Sequence, residues 1–172
     1  MKNLLILLII TLSSCSSMNY NKTVDKLDLN RFMGDWYVIA GRFTIFEKGA
    51  HNGLERYTWN QEKEQIDISF TFSKDSFEGK RKEIAQTGWV HNKESKSHWK
   101  VRPFWPLKLD YLVIALADDY SWTAVGVPNG NYLWIMAREW DFSKDKVKDI
   151  LKKLDESGYP INDIKYVPQK WN

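Results

Sequence analysis

Three histidines (His51, His91 and His98), a single cysteine (Cys15) and two adjacent carboxylates (Asp118 and Asp119) are the side chains of this sequence best suited to chemistry. A hydrolytic zinc centre needs ligands that converge on one face of an element, and no H-x-x-x-H or H-E-x-x-H spacing brings two of the histidines together. The G-x-S-x-G elbow, the phosphate-binding loop and the dinucleotide fingerprint are not found in the sequence. Adjacent residues on a strand or turn point apart, which speaks against Asp118 and Asp119 as an acid/base pair. A hydrolase or isomerase would have to draw on His and Asp residues that the spacing does not assemble. No catalytic residue, metal site or cofactor is expected.

Cys15 has a different role. Lys2 precedes an apolar run from Leu4 to Ile10, and Thr11-Leu12-Ser13-Ser14 leads into Cys15. This is the layout of an export signal over residues 1–14, too short to span a bilayer as a mature helix. Leu12-Ser13-Ser14-Cys15 resembles the bacterial lipoprotein box. That resemblance implies cleavage before Cys15 and diacylation of its sulfur, and two acyl chains hold a protein stably where one would be marginal. Ser16, where an Asp would favour the inner membrane, points to the outer membrane and the periplasm. Residues 15–24, with Ser16, Ser17, Asn19, Asn21 and Lys22, read as a lipidated N-terminus and polar tether. With its only cysteine acylated, the chain has no thiol nucleophile and no internal disulfide.

Residues 25–172 then form one domain. The sequence of 172 residues is 43% hydrophobic, 15% aromatic and 27% charged, an ordinary globular composition in which nine Trp, eight Tyr and eight Phe dominate the area to be buried. Lys and Arg (25) nearly balance Asp and Glu (22), and the formal charge of +3 is scattered, which speaks against a nucleic-acid partner. Eight runs rich in β-branched and aromatic residues follow at short intervals: 36–46, 54–59, 66–72, 83–91, 97–102, 111–117, 122–127 and 132–139. In the cleanest, Ile66, Ile68, Phe70 and Phe72 alternate with polar residues, so one face meets a core and the other water. Connections this short exclude parallel crossovers, and a closed antiparallel barrel suits eight such strands, with a two-sheet sandwich as the other arrangement. Ser143 is a candidate N-cap for a helix in which Val147, Ile150, Leu151 and Leu154 form an apolar stripe, ended by Gly158. The tail 163–167 is a short strand candidate.

Gly34-Asp35-Trp36-Tyr37 resembles the G-x-W-Y signature of lipocalins, Asp118-Asp119-Tyr120 their second motif and Arg138 their third, in the family's order. The runs Tyr111 to Leu116 and Tyr132 to Arg138 are similar to those of bacterial lipocalins, outer-membrane lipoproteins related to apolipoprotein D. The resemblance spans nearly the whole mature chain. It implies an all-β fold: an eight-stranded antiparallel up-and-down barrel with one C-terminal helix packed outside. In such a barrel the start of the first strand, the turn between the sixth and seventh and the end of the eighth fall at one end. Gly34, Trp36 and Arg138 are therefore expected to close the barrel, with the Arg138 guanidinium over the Trp36 indole.

The opposite end would be a mouth lipped by Phe46, Phe104, Trp105 and Leu107, an apolar patch of the kind that marks ligand access, a partner or a membrane. Counting alternately from Trp36 puts Val38 and Ala40 inside, and counting back from Arg138 puts Met136, Trp134 and Tyr132 there. Phe70 lies on the core face of its strand, and the family pattern adds Tyr57, Tyr111, Val113 and Ala115. Glu55 shares a face with Tyr57, and is either a polar anchor near the mouth or placed at a local irregularity, because a buried carboxylate is costly unless paired or solvated. The implied function is binding, storage or transport of a hydrophobic ligand such as a fatty acid or lysophospholipid. An envelope structural protein whose barrel is filled by its own aromatics is the alternative. The oligomeric state is open, a homodimer included.

Overall fold

The computed structural model describes residues 18–171. A short helix α1 (Leu29–Phe32) leads into β1 (Gly34–Arg42), a 3-10 turn (Ile45–Glu47), β2 (Ala50–Asn60), β3 (Gln65–Lys74), β4 (Arg81–Val90), β5 (His98–Arg102), β6 (Leu109–Leu116), β7 (Trp122–Gly126) and β8 (Leu133–Ala137). Helix α2 (Lys144–Glu156) and a two-residue strand β9 (Lys165–Tyr166) complete the chain. Each of β1 to β8 pairs antiparallel with its sequence neighbours, and β1 pairs with both β8 and β2. The sheet closes on itself as an eight-stranded barrel, so the sandwich is excluded. The first run was expected to reach Phe46, but the strand ends at Arg42 and Ile45–Glu47 turn across the mouth.

Pairing between β1 and β2 runs only from Gly34 opposite Tyr57 to Tyr37 opposite Leu54. Beyond that point the two strands part, and the tail laces the seam. Ala40 and Gly41 pair with Tyr166 and Lys165, the Val167 amide donates to the Ile39 carbonyl, and the Asn52 amide donates to that of Pro168. The Gln169 side-chain amide donates to the Val38 carbonyl at 2.7 Å and the Gly53 carbonyl at 3.1 Å, one from each side of the gap. Backbone groups that would be orphaned at a splayed seam are thereby satisfied.

Two hydrophobic layers result. Ile66, Ile68, Phe70 and Phe72 are all buried on the inner face of β3, as their alternation requires, and join Trp36, Val38, Tyr57, Trp99, Val113 and Met136 in the barrel core. The outer layer lies between barrel and helix: Val147, Ile150 and Leu154 of α2 pack against Ile39, Leu133, Ile135 and Ala137. Ser143 caps the helix by accepting from the Asp145 amide, and Gly158, at φ +88°, supplies the left-handed residue just past its end.

Two expectations need correcting here. Ala40 is not inside the barrel. The β1–β8 register shifts between Val38 and Ala40, a bulge that turns Ala40 out into the layer beneath α2, and a matching shift between Val113 and Ala115 turns Ala115 out as well. Nor are residues 18–24 a free polar tether. Tyr20 is buried edge-on against Tyr159 at 4.9 Å, its amide donates to the Pro128 carbonyl, and the Val24 amide donates to that of Val113. The short polar residues alternate with Met18, Tyr20 and Val24, and these apolar side chains hold the segment to the wall.

The closed end is built as expected. Trp36 is fully buried, its indole N–H donates to the Phe32 carbonyl at 2.8 Å, and the Arg138 guanidinium carbon stands 3.7 Å from its ring centroid. Arg138 also donates to the carbonyls of Asp35 (2.6 Å), Arg31 (2.7 Å), Met33 (3.0 Å) and Phe32 (3.2 Å). Gly34 at φ +94° makes the sharp bend from α1 into β1 beside that guanidinium. Truncating a buried Trp costs about 3–5 kcal/mol through lost packing and the cavity left behind, so Trp36→Ala should lower the urea midpoint steeply. Arg138→Ala should lower it too, by removing the stack on Trp36 and the donors to the half-buried Asp35 and Met33 carbonyls. Unchanged midpoints in both variants would contradict a closing role.

Candidate functional site

Above the Trp36 plug the barrel holds a cavity of about 310 Å3. Seven of the ten interior residues read from the sequence line it: Glu55, Tyr57, Phe70, Tyr111, Tyr132, Trp134 and Met136. Val38 and Val113 face the same interior but are packed into the core, and Ala40 lies outside as described. The wall is continued by Ile84, Val101, Phe104, Leu107 and Leu109. Tyr111 stacks on Trp99 at 5.2 Å, and its hydroxyl is hydrogen-bonded to that of Tyr57, so the two phenols satisfy each other in an otherwise apolar wall.

The cavity opens between the loops that follow β1 and β5. Ile45 (79% exposed), Phe46, Phe104 and Trp105 (82% exposed) project into solvent there, with Leu107 and Leu109 partly exposed beside them. Phe46 and Phe104 face each other across the opening, ring centroids 6.4 Å apart. The expected lip of Phe46, Phe104, Trp105 and Leu107 is thus exposed rather than folded inward.

Two carboxyls face this apolar space. Glu55 stands on β2 with Trp36 opposite it on β1 and Phe70 on β3, in regular pairing that resumes after a register shift between His51 and Leu54. It is therefore well inside the wall, neither at the mouth nor at the irregularity itself. Its side chain receives no hydrogen bond from the described residues, and burial, with Glu47 adding its repulsion, pushes its pKa up to about 8. Glu47, which sequence reasoning missed, reaches in from the 3-10 turn. It accepts from the Thr44 amide (2.8 Å), the Thr44 hydroxyl (2.7 Å) and the Trp134 indole N–H (2.7 Å). Burial raises its pKa, and the hydrogen bonds from Thr44 and Trp134 oppose the rise. The Thr44-x-x-Glu47 spacing is that of a capping box and was the available signal for a turn at this place. The Tyr57 and Tyr111 phenols are pushed well above their ordinary value by burial and stay neutral.

Eight antiparallel strands closed around an apolar cavity, plugged at one end by a Trp–Arg stack and carrying a single helix outside, define a lipocalin-type binding barrel. The chain belongs to the lipocalin-like family, whose domain model matches residues 27–169. It is 27% identical over 168 residues to the outer membrane lipoprotein Blc of Vibrio cholerae, covering 96% of this chain and 97% of that one. It is 30% identical over 159 residues to temperature-induced lipocalin-1 of Arabidopsis thaliana, covering 86% and 82%. Among solved structures, insecticyanin of Manduca sexta shares the fold at TM-score 0.64 and 14% identity, covering 88% of this chain and 84% of that one. Apocrustacyanin C2 does so at TM-score 0.65 and 13% identity, covering 83% and 80%. Lipocalins are in general binding proteins for hydrophobic small molecules rather than enzymes.

Glu55 makes stability depend on pH. The folded chain keeps its proton up to about pH 8, whereas the unfolded chain loses it near the ordinary glutamate value of 4.5, so between these values the folded state binds more protons. The stabilisation is complete below pH 4.5 and is lost as pH rises towards 8, at about 1.4 kcal/mol per pH unit at most. Urea denaturation at pH 5 and pH 8 should show the wild type weaker at pH 8 and Glu55→Gln with a smaller loss, the remainder coming from Glu47, which burial also raises. An undiminished slope in the variant would assign the titration elsewhere.

Proposed function

We propose that this protein is a lipid-anchored bacterial lipocalin that binds, stores or transports a fatty acid, lysophospholipid or similar membrane-derived lipid in the cell envelope. The observation that carries the reading is an apolar cavity of about 310 Å3 continuous with an exposed apolar mouth. Burying about 300 Å2 of an acyl chain at roughly 25 cal/mol per Å2 is worth about 7 kcal/mol before ordering costs, enough to sequester a lipid without any chemistry on it. An open cavity favours carriage over the structural alternative of a self-filled barrel. The placement we propose is the outer membrane, facing the periplasm, with residues 1–14 removed and Cys15 acylated. Cys15 lies outside the described residues, and the support is its lipoprotein box together with relatives named as outer membrane lipoproteins.

Two measurements test this. Affinity for saturated fatty acids and lysophospholipids should rise with chain length until the cavity is full, with Trp134→Phe as the control that isolates the cavity's own tryptophan emission. A flat response to chain length would favour the structural alternative. Intact mass of the native protein should show an N-terminal Cys15 carrying lipid, and an unmodified mature cysteine in the membrane fraction would end the anchoring proposal.

A further inference from the structure

Every charged residue lining the cavity is acidic. Glu47, Glu55 and Asp110 are there, and Lys, Arg and His are missing from its described wall. Asp110 is held at the rim by Lys100 and His98, both at 2.6 Å. Glu47 has its oxygens occupied by three donors from Thr44 and Trp134. Glu55 receives no hydrogen bond at either oxygen from the described residues, although it is only 8% exposed. A buried carboxyl without a protein partner is costly, and one that faces a ligand cavity leaves that partner to be supplied by the ligand. The rings of Tyr57, Tyr111 and Trp134 line the same cavity, the last two nearly parallel at 6.5 Å. Such rings attract cations and give nothing to anions.

We infer that Glu55 is the recognition site for an ammonium group, and that the barrel selects amphiphiles carrying a protonated amine over simple fatty acids. This rests on the proposed function, since it takes for granted that the cavity holds an apolar ligand and adds which head group reaches the wall. A fatty-acid carboxylate brought to the same depth finds no cation in the described wall to pair with. An ammonium group would pair with Glu55 and draw off the proton that burial keeps on it, so that binding near neutral pH releases a proton to solvent. Of the other groups near Glu55, Tyr57 on its own strand and Tyr111 on β6 are too weakly acidic to supply that proton. Glu47 on the turn is also shifted upward by burial, and Glu55→Gln distinguishes its proton from that of Glu55. Arg138, beyond Tyr57, is committed to the Trp36 ring and four carbonyls.

The test is calorimetric titration of the purified mature protein at pH 7 with dodecylamine, dodecanol and dodecanoic acid, in two buffers of different ionisation enthalpy. Dodecylamine should bind at least ~10-fold more tightly than dodecanol, with release of nearly one proton in the wild type. Glu55→Gln should bring the amine to the level of the alcohol measured in the same variant and abolish the proton release. Lysophosphatidylethanolamine of the same chain length separates the two sources of the amine: binding with proton release assigns it to a lipid head group, and weak binding without release assigns it to a free amine. Equal amine and alcohol affinities in the wild type, or an amine advantage that survives in Glu55→Gln, overturn the inference. Should none of the three C12 compounds bind, the carrier reading itself fails, an outcome distinct from binding without preference. The proton release is read in the wild type, so the inference stays open to refutation even if the variant does not fold.

Discussion

The stack of Arg138 on Trp36 is the contact on which the rest of this molecule depends. The guanidinium covers the indole at 3.7 Å while its nitrogens reach the carbonyls of Arg31, Phe32, Met33 and Asp35. One side chain just past the last barrel strand therefore fixes the chain as it enters the first. Planar, always charged and furnished with several donors in a rigid fork, arginine can do both at once, where lysine could not. With this end sealed by Trp36, Phe32, Tyr57 and Trp99 in mutual ring contact, the barrel has a floor, and only the opposite end can admit a ligand.

Above that floor two requirements compete. Apolar walls gain from a lipid but offer it little orientation, whereas polar groups orient it at the cost of their own desolvation. The protein settles this unevenly. Glu47 is anchored by Thr44 and Trp134 and so also fixes the Trp134 ring and the mouth turn, while Tyr57 and Tyr111 satisfy each other. The cost of a lone polar group is concentrated at Glu55.

Much of the barrel was legible because its signals are local. Strict alternation from Ile66 to Phe72 declares one wet and one dry face, and the Gly34-Asp35-Trp36 and Arg138 motifs fall at one end by the parity of an up-and-down chain. What failed was parity carried through a bulge. One extra residue after Val38 and another after Val113 reversed the faces of Ala40 and Ala115, and nothing in the side chains there marks the insertion. The docked segment at residues 18–24 was obscured because its apolar residues are outnumbered by polar neighbours, and hydropathy averages hide an alternating edge. Glu47 was hidden by its position: a carboxylate among loop residues reads as solvated until the fold turns it inward. Six of the seven cavity residues stand on, or next to, strands whose register is unbroken between them and a recognised motif; Tyr111 lies across the Val113–Ala115 shift and was placed by the family pattern.

The seam between β1 and β2 has a consequence for when this barrel is finished. Its missing hydrogen bonds are supplied by Lys165 to Lys170, the last stretch of the sequence, which reaches back to Ile39, Gly41, Asn52 and Gly53 near the beginning. No shortened chain has those bonds to make, so a polypeptide still emerging from its point of synthesis or export has an open side. Closure requires contacts separated by more than a hundred residues, the kind whose loop-closure entropy must be met late. Residues 165–170 act as a latch: until they arrive, β1 and β2 are joined only from Gly34–Tyr57 to Tyr37–Leu54, and the splayed stretch beyond leaves backbone groups open to a neighbour.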